Sequence, residues 1–340
     1  MINVGIVGLG FMAATHVKAY RKIPNARIVN ICNPSGRHLD GDLTTVGGNI
    51  GPADDVKLDM SQIKACRNIE ELLADPAVDL VDICTPTQDH PALSIAALRA
   101  GKHVICEKPL ARTASLAREI IEEAAKSKSF LMPAMCIRFW PEWIWLKNAI
   151  DQETFGQVLA ARFRRVAEPP GWGQRNFLDG RQSGGALLDL HIHDSDFVQF
   201  CFGRPKSVYS TGLTKVSGAI DHVVTQYQVV ARTAVHGEGS WAMTKGFGFN
   251  MSYTAVFERA TADYDIARGP SPLMLFEEGQ SPRVIQCEGG DGYVGELNHM
   301  IDSIQLGRPP TVVTPHDGLS SIEICEAEEQ SVKTGQIVLL

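Results

Sequence analysis

The sequence predicts an α/β protein in which a doubly wound parallel sheet is followed by an α+β domain with an open, mainly antiparallel sheet. Up to about residue 133, short β-branched apolar runs alternate with longer amphipathic segments, which is typical of βαβ units. Beyond it, extended segments follow one another with few helices between them. A length of 340 residues fits two such domains. We expect domains over 1–130 and 131–340, with a helix over 316–334 that can pack back on the first.

The first half contains five predicted strands with helices between them. Gly101 follows the third helix, where a glycine commonly ends a helix in the left-handed conformation. The stretch Ser35–Ala65 is irregular and contains Gly, Asp and Pro, so we predict a surface excursion there. The predicted strands are Ile2–Val7, Ala26–Cys32, Asp79–Cys84, His103–Glu107 and Phe130–Ala134. The predicted helices are Ala13–Arg21, Glu70–Ala74, Pro91–Ala100 and Ser115–Lys126.

The second half is dominated by extended segments. Their poor separation by helices favours antiparallel pairing. The predicted strands are Val158–Val166, Ser207–Gly212, Val223–Thr233, Gly239–Thr244 and Tyr253–Glu258. The predicted helices are Pro141–Ile150, Ala186–Phe202, Gly295–Leu306 and His316–Thr334.

Composition excludes several classes of protein. Hydrophobic residues are 44% and charged residues 21% of the chain, which is ordinary globular usage and argues against disorder. A net charge of −7 gives no surface for a nucleic-acid backbone. The 8 cysteines are scattered without a C-x-x-C pair, which indicates a reducing compartment and no zinc ribbon. No apolar run reaches the roughly 18 residues of a membrane span, so we expect a cytoplasmic protein with no membrane partner.

A glycine-rich turn follows the first predicted strand. Gly8 and Gly10 precede a helix, and the small Ala13 takes the place of a third glycine. Such a turn lets the backbone approach a pyrophosphate, and the helix start offers its amide groups to the negative charge. The strand before and the helix after this turn favour dinucleotide binding over an ordinary glycine turn, with Phe11 and Met12 as part of the binding loop.

The end of the second predicted strand indicates which dinucleotide binds. Chains that bind NAD usually carry Asp or Glu there to accept a hydrogen bond from the ribose. Here Asn33 stands at that point, with Ser35 and Arg37 after it. An amide does not repel a 2′-phosphate, while a hydroxyl can donate to it and a guanidinium can pair with it. We therefore predict NADP as the preferred cofactor, with NAD as the alternative.

Two polar segments follow the next strands. Thr85–His90 comes after one strand and Glu107–Pro109 after the next, and the carboxyl ends of parallel strands meet at one edge of a sheet. Lys108 lies between a carboxylate and a proline, and its ammonium could polarise a substrate hydroxyl or carbonyl. The alternative is a lysine whose ammonium merely extends into water. The Lys108–Pro109 bond is a candidate for the cis form.

A third group of acid and base side chains begins after Gly184–Gly185. On a helix, Asp189 and His193 lie at i and i+4 on one face, and Asp196 extends that face. A carboxylate beside an imidazole orients the ring and favours proton uptake, as a general base near neutral pH requires.

The same segment has a second interpretation as a metal site. His191 and His193 with the nearby aspartates are ligands that a divalent ion could accept. Residues two apart on a helix point about 200° apart, so the two rings could share an ion only in an extended segment. We therefore predict no metal.

Together these motifs resemble the glucose–fructose oxidoreductase, inositol dehydrogenase and rhizopine-catabolism family of NAD(P)-dependent oxidoreductases. The resemblance covers nearly the whole chain, and its most specific elements are E-K-P and D-x-x-x-H. The matching segments are GIVGLG, VDICTPTQDH, AGKHVICEKPLA, GGALLDLHIHDSD and the closing Tyr293, Glu296, Gly307–Pro310 and Asp317–Gly318.

The resemblance implies a Rossmann domain and a second domain whose sheet forms oligomer contacts on one face, as in a homodimer or homotetramer. It implies a catalytic set of Lys108, Asp189 and His193, with Arg138 facing the substrate. It places Thr85, Pro86, His90, Glu107 and Pro109 around the dinucleotide. Weaker substrate candidates are Trp140, Trp172 and Arg162. One departure is His191, where the family motif has glycine, and this bulky residue is expected to reshape the pocket or the helix start.

The activity implied is hydride transfer between a CH–OH group of a carbohydrate-like substrate and the nicotinamide. Two alternatives stay open: a non-catalytic regulator that binds the dinucleotide, and a metal-dependent hydrolase using His191 and His193. Retention of the full set of Lys108, Asp189 and His193 argues against the regulator.

Overall fold

The computed structural model describes residues 1–48, 56–171, 177–229 and 233–340. The chain divides into two compact units. The first comprises Met1–Cys136 and Asp291–Leu319, and the second comprises Ile137–Gly290 and Ser320–Leu340. The predicted boundary near residue 130 is close to the observed one. The assignment of all later residues to the second domain is wrong for Asp291–Leu319, which returns to the first unit. The suggestion that the helix over 316–334 packs on the first domain holds only for its opening residues, up to Leu319.

The first unit is built on a six-stranded parallel sheet in the order β3-β2-β1-β4-β5-β6. All strands are parallel, but successive strands are added on one side of β1 and then, from β4 onward, on the other. Doubly wound sheets bind their ligands at this switch point between β1 and β4. The strands are β1 (Ile2–Val7), β2 (Ala26–Cys32), β3 (Lys64–Cys66), β4 (Leu80–Ile83), β5 (His103–Glu107) and β6 (Leu131–Ala134). The helices are α1 (Phe11–Tyr20), α2 (Ile69–Leu73), α3 (His90–Arg99) and α4 (Ala114–Lys126).

Apolar side chains on both faces of this sheet explain why its strands could be predicted from the sequence. β1, β2 and β5 have the predicted bounds, because continuous β-branched runs are the pattern of a parallel strand covered on both sides. Gly101 has a φ of +74° directly after α3, as predicted. Of the predicted excursion Ser35–Ala65, residues 49–55 lie outside the described part of the chain, and the described part contains an isolated bridge between Asp42 and Lys57 and the start of β3. The returning helix α8 (Gly292–Leu306) packs against α1 and β1.

The second unit is built on a nine-stranded sheet in the order β14-β13-β12-β11-β7-β10-β9-β8-β15. The pair β7–β10 is parallel and the other pairs are antiparallel, so the predicted mainly antiparallel sheet is confirmed. The strands are β7 (Val158–Ala167), β8 (Ser207–Leu213), β9 (His222–Gln228), β10 (Ala234–Ser240), β11 (Phe249–Phe257), β12 (Ala260–Asp265), β13 (Leu273–Glu277), β14 (Arg283–Val284) and β15 (Val338–Leu339). The helices are α5 (Pro141–Asp151), the short α6 (Gly180–Ser183), α7 (Ile192–Phe202) and α9 (Pro315–Thr334), the last of which begins in the first unit.

Two strand predictions in this unit need correction. The predicted Gly239–Thr244 is the strand Ala234–Ser240, since pairing with β7 and β9 overrides the low strand preference of Gly237 and Gly239. The predicted Val223–Thr233 ends at Gln228, and residues 230–232 lie outside the described part of the chain. The core of the unit is aromatic: the ring of Trp143 contacts Phe163, Phe197, Tyr253 and Tyr264.

Candidate active site

The glycine turn has the geometry that a dinucleotide needs. Gly8 has a φ of +84°, and a Cβ there would lie 2.8 Å from the carbonyl oxygen of Cys84. A Cβ on Gly10 would meet nothing within 4 Å, so the space above this residue is open. Gly10 begins α1 without a side-chain cap, and no acidic residue stands in the first turn. Phe11 and Met12 open the helix. The amide groups at the start of a helix fit a pyrophosphate.

The loop after β2 is organised by Asn33. Its side chain donates to the carbonyl of Arg37 at 2.8 Å and accepts from the hydroxyl of Ser35 at 3.0 Å. The side chain of Arg37 is exposed. A second cation lies nearby, because a Cβ on Gly36 would come within 2.6 Å of the guanidinium of Arg67. Nothing in the sequence pointed to Arg67, because this residue follows β3. Only the pairing of β2 with β3 brings it close to the loop after β2.

His90 links the two polar segments at the ends of β4 and β5. Its Nδ1 lies 2.8 Å from the carbonyl oxygen of Pro109, and its Nε2 lies 2.9 Å from that of Thr85. Burial lowers the pKa of this ring, although both carbonyls act to raise it. His90 therefore holds Thr85 and the Lys108–Pro109 turn at one edge of the sheet. Pro86 lies in the loop so held, and the Lys108–Pro109 peptide is cis, as predicted.

Glu107 faces inward from the end of β5 into a group of charged side chains that we call the His16 cluster: His16, Asp82, Glu107 and Glu296. The Nδ1 of His16 lies 2.8 Å from Asp82, and its Nε2 lies 3.1 Å from Glu107 and 3.8 Å from Glu296. The other oxygen of Glu107 accepts from the backbone N–H of Lys108 at 3.1 Å. The cluster therefore fixes the residue directly before Lys108.

Burial sets the protonation of this cluster. The side chains of His16, Asp82 and Glu296 are fully buried. Burial raises the pKa of Glu296 well above its usual value, against the pull of His16 and with repulsion from Glu107. The pKa of His16 is also raised: burial lowers it, but Asp82 and Cys84 together more than compensate. The available signal in the sequence was a charged residue inside the apolar strand Leu80–Ile83, which sequence reasoning did not use.

The predicted catalytic segment of the second unit begins at two left-handed glycines. Gly184 and Gly185 have φ values of +78° and +71°, and a Cβ on Gly185 would lie 2.5 Å from the carbonyl oxygen of Ile220. Only glycine fits this close approach. The glycines thus open the helical segment, as predicted.

The predicted α-helix over Ala186–Phe202 is wrong in its first part. Leu187–His191 forms a π-helical turn, and the α-helix starts at Ile192. A π-turn widens the helix locally, so the i, i+4 argument for Asp189 and His193 does not apply as stated. Both side chains are nevertheless half-buried, whereas His191, Asp194 and Ser195 are buried. Asp189 and His193 therefore lie on the accessible side of a segment whose other side is packed.

Two buried ion pairs secure this segment. Arg138 donates to both oxygens of Asp196, at 2.7 and 2.8 Å, and Arg165 donates to both oxygens of Asp194, at 3.1 and 3.3 Å. Asp196 therefore serves in packing rather than extending a catalytic face. Arg138 has a structural partner, and its role toward substrate stays a prediction.

The remaining substrate candidates are less defined. Trp140 is half-buried at the start of α5. Arg162 lines a shallow cavity on the sheet together with Arg164 and Asn250. Trp172 lies outside the described residues.

Groups of side chains close enough to share a metal ion gather around His16 within the part of the chain that the structure describes. Neither His191 nor His193 belongs to such a group there. This arrangement gives no support to the hydrolase alternative.

Comparison with known proteins decides the family. The model of the oxidoreductase family with NAD-binding Rossmann fold matches residues 2–135, and that of the GFO/IDH/MocA C-terminal domain matches residues 143–263. The chain belongs to the GFO/IDH/MocA family. It is 28% identical to myo-inositol 2-dehydrogenase of Thermotoga maritima, over 100% of this chain and 98% of the relative. It is 33% identical to human trans-1,2-dihydrobenzene-1,2-diol dehydrogenase, over 74% of this chain and 76% of the relative.

Solved structures agree with this GFO/IDH/MocA assignment. Levoglucosan dehydrogenase in complex with NADH and L-sorbose matches with a TM-score of 0.84 at 21% identity, covering 99% of this chain and 98% of that one. A probable dehydrogenase from Thermotoga maritima matches with a TM-score of 0.81 at 25% identity, with 99% and 98% coverage. The comparisons thus confirm three predictions: the family, the fold class and the enzyme class, a dinucleotide-binding oxidoreductase. Among the described residues, each helix is too short or too polar to cross a membrane.

Proposed function

We propose that this chain is a dehydrogenase that oxidises a CH–OH group of a sugar or polyol with NAD(P), or catalyses the reverse reduction. Family membership and full-length similarity to a myo-inositol 2-dehydrogenase support a cyclic polyol or sugar as substrate. The human relative is named a trans-1,2-dihydrobenzene-1,2-diol dehydrogenase, so its substrate also carries a CH–OH group on a ring.

The dinucleotide supplies the hydride chemistry when it is bound. The residues that would hold it belong to the first unit: the amide groups at Gly10, Phe11 and Met12 would bind the pyrophosphate, and the loop after β2 would bind the ribose. Thr85, Pro86 and the Glu107–Pro109 turn would flank the nicotinamide. The open space above Gly10 supports this assignment.

Lys108, Asp189 and His193 are the proposed catalytic residues. His193 removes the hydroxyl proton, Asp189 orients and stabilises the resulting imidazolium, and Lys108 stabilises the negative charge that develops on the oxygen. The observation that carries this assignment is the placement of Lys108: Glu107 before it is tied into the His16 cluster, and Pro109 after it is tied to His90. A lysine fixed on both sides is positioned for a directed interaction. Arg138, Trp140 and Trp172 are proposed substrate contacts.

NADP is the proposed preferred form of the cofactor. Arg37 is exposed at the loop after β2, and Arg67 stands over Gly36 in the same loop. Two guanidinium groups beside Asn33, which carries no charge, favour a 2′-phosphate.

A homodimer or homotetramer formed through the second sheet is the proposed assembly, in a cytoplasmic protein. Apolar side chains are exposed along this sheet, namely Leu159, Tyr209, Val224, Val256 and Phe276. None of the 8 cysteines is in a disulfide, which suits a reducing compartment. The solution mass of the purified protein, by light scattering, tests the assembly, and a monomer would contradict it.

A substrate screen tests the function. Purified protein is mixed with NAD or NADP and a panel of myo-inositol, aldoses, sugar acids and acyclic polyols, and the absorbance of the reduced dinucleotide is followed. We expect turnover on at least one member of the panel. In His193→Ala, kcat on that substrate should fall by about 10²–10⁴-fold. Dinucleotide binding without turnover in either direction on any member would instead favour a regulator.

A further inference from the structure

His191 stands where the family motif has glycine, two residues from both Asp189 and His193. It ends the π-turn and is fully buried. A histidine replaces a glycine inside a packed layer only if neighbouring elements provide room and hydrogen-bond partners, because a buried unpaired imidazole is costly. Within the second unit, β10 provides the room and Tyr227 provides a hydrogen-bond partner for Nε2, while the buried Nδ1 has no partner among the described residues.

Strand β10 provides the room. A Cβ on Gly239 would lie 2.4 Å from the Cβ of His191, and a Cβ on Gly237 would lie 2.9 Å from its Cε1. The two glycines are two residues apart and therefore face the same side of the sheet. No other residue fits at Gly239 while His191 keeps its place, so the histidine and this glycine pair form one structural adaptation.

A directed chain of hydrogen bonds holds the ring. The hydroxyl of Tyr227 donates to Glu328 at 2.6 Å, and the Nε2 of His191 lies 3.0 Å from the same hydroxyl. A phenol has one proton, which goes to the carboxylate, so Nε2 carries a hydrogen and donates to the phenol oxygen. Ser195 donates to Glu328 at 3.2 Å and lies 3.1 Å from Tyr227. We call these four residues the His191 network.

The surrounding charges favour this arrangement. Burial alone would lower the pKa of His191, but Glu328 and then Asp194 raise it, with Arg165 opposing them. Glu328 contacts Nε2 at 3.4 Å and is fully buried. The network therefore joins the π-turn to β9 and α9. Its groups are buried, so water cannot replace a hydrogen-bond partner that is removed.

We propose that His191 is a positioning residue for the catalytic turn, acting through Tyr227 and Glu328. It fixes the π-turn that carries Asp189 and directs the chain into α7, where His193 stands. The inference rests on the proposed function. Reactions of this kind are sensitive to small displacements of a positioned group, and a shift of about 1 Å can cost about 10²-fold in rate.

Three variants on the best substrate of the screen test the proposal. We expect Tyr227→Phe and His191→Leu to lower kcat about tenfold or more, with KM changed less than about threefold. His191→Gln should recover most of the wild-type kcat, because its side-chain amide can donate from nearly the same place as Nε2. NAD(P) affinity should not change in any of them, since the dinucleotide residues lie in the other unit.

Thr225→Val is the matched control. Thr225 is buried on the same strand as Tyr227, and its hydroxyl bonds Ser210 at 2.8 Å without touching His191. It should lower the melting temperature about as much as Tyr227→Phe and leave kcat unchanged. Equal kcat in Tyr227→Phe and Thr225→Val, or a kcat in His191→Leu at least as high as in His191→Gln, would overturn the proposal. A wild-type protein inactive on every substrate would instead refute the proposed function.

Discussion

Each unit of this protein buries a histidine beside a predicted catalytic segment, and the two units neutralise the surrounding charge in different ways. In the first, three carboxylates surround His16, and their described side-chain partners include no lysine or arginine. In the second, the carboxylates Asp194 and Asp196 next to His191 are each paired with a buried arginine. Proton uptake balances the first region, and permanent cations balance Asp194 and Asp196 in the second.

The difference concerns what each region responds to. A guanidinium stays charged at any ordinary pH, so each of these two pairs keeps its cation and depends on geometry. A carboxyl kept protonated by burial releases its proton as the pH rises, and the fold then loses stability. We therefore expect the second region to be sensitive to loss of a partner and the first to be sensitive to pH.

Removal of Arg165 is expected to have the largest effect on stability. Arg165→Met leaves the Asp194 carboxylate buried without its cation, which typically costs about 3–5 kcal/mol in the free energy of unfolding. Chemical denaturation measures it. Arg204→Met removes an ion pair of the same unit in which Arg204 is 40% exposed, and this control should cost less than about 1 kcal/mol. Similar costs for the two variants would remove the distinction between the regions.

Glu296→Gln is expected to act in the opposite direction. The raised pKa of Glu296 means that the folded protein holds a proton that the unfolded chain releases above about pH 4.3. Its contribution to stability is complete below that pH and is lost as the pH rises toward the folded pKa. The raised pKa of His16 acts in the same direction above about pH 6.5.

A glutamine imitates the protonated carboxyl at every pH. Glu296→Gln should therefore match the wild type near pH 4 and exceed its free energy of unfolding by about 1–3 kcal/mol at pH 8. Thermal melts across this range measure the difference, with Glu123→Gln as the control, since Glu123 pairs with the exposed Arg99. Lower stability of the variant at pH 8, together with a metal ion bound to the wild type, would show that a cation rather than a proton balances the cluster.

The smallest expected effect concerns the choice of dinucleotide. Arg67→Ala and Arg37→Ala should each reduce the preference of kcat/KM for NADP over NAD by about tenfold, through loss of a charged hydrogen bond. Arg99→Ala, also exposed in the first unit, is the control and should change nothing. A wild-type protein that binds NAD tenfold more tightly than NADP would refute the preference itself.

The sequence predicted the first unit better than the second for a physical reason. Strands covered on both faces are continuous apolar runs, and the glycine turn needs residues of fixed type, so both appear directly in the sequence. The π-turn over Leu187–His191 differs from an α-helix by a shift in its hydrogen bonds, and no residue pattern marks it. β10 was displaced in the prediction because Gly237 and Gly239 serve His191 at the expense of strand preference.

Contacts between residues far apart in the sequence account for the other misses. Glu296 lies beside His16 only because α8 returns to the first unit, and Arg67 lies over Gly36 only through the pairing of β2 with β3. The proposed catalytic residues could be named from the sequence because E-K-P and D-x-x-x-H are specific motifs. Their buried supports were not, since a histidine in an apolar helix has no distinctive local pattern.

The most direct test of the account is the turnover of Lys108→Met compared with Lys102→Met. Lys102 is a buried lysine of the same unit whose ammonium donates to the backbone carbonyls of Asp75 and Val78, both at 2.8 Å. Both variants are measured on the best substrate of the screen, with melting temperatures alongside. We expect kcat to fall by about 10²–10⁴-fold in Lys108→Met. Lys102→Met should have a lower melting temperature and an unchanged kcat. Unchanged turnover in Lys108→Met would contradict the proposed catalytic role.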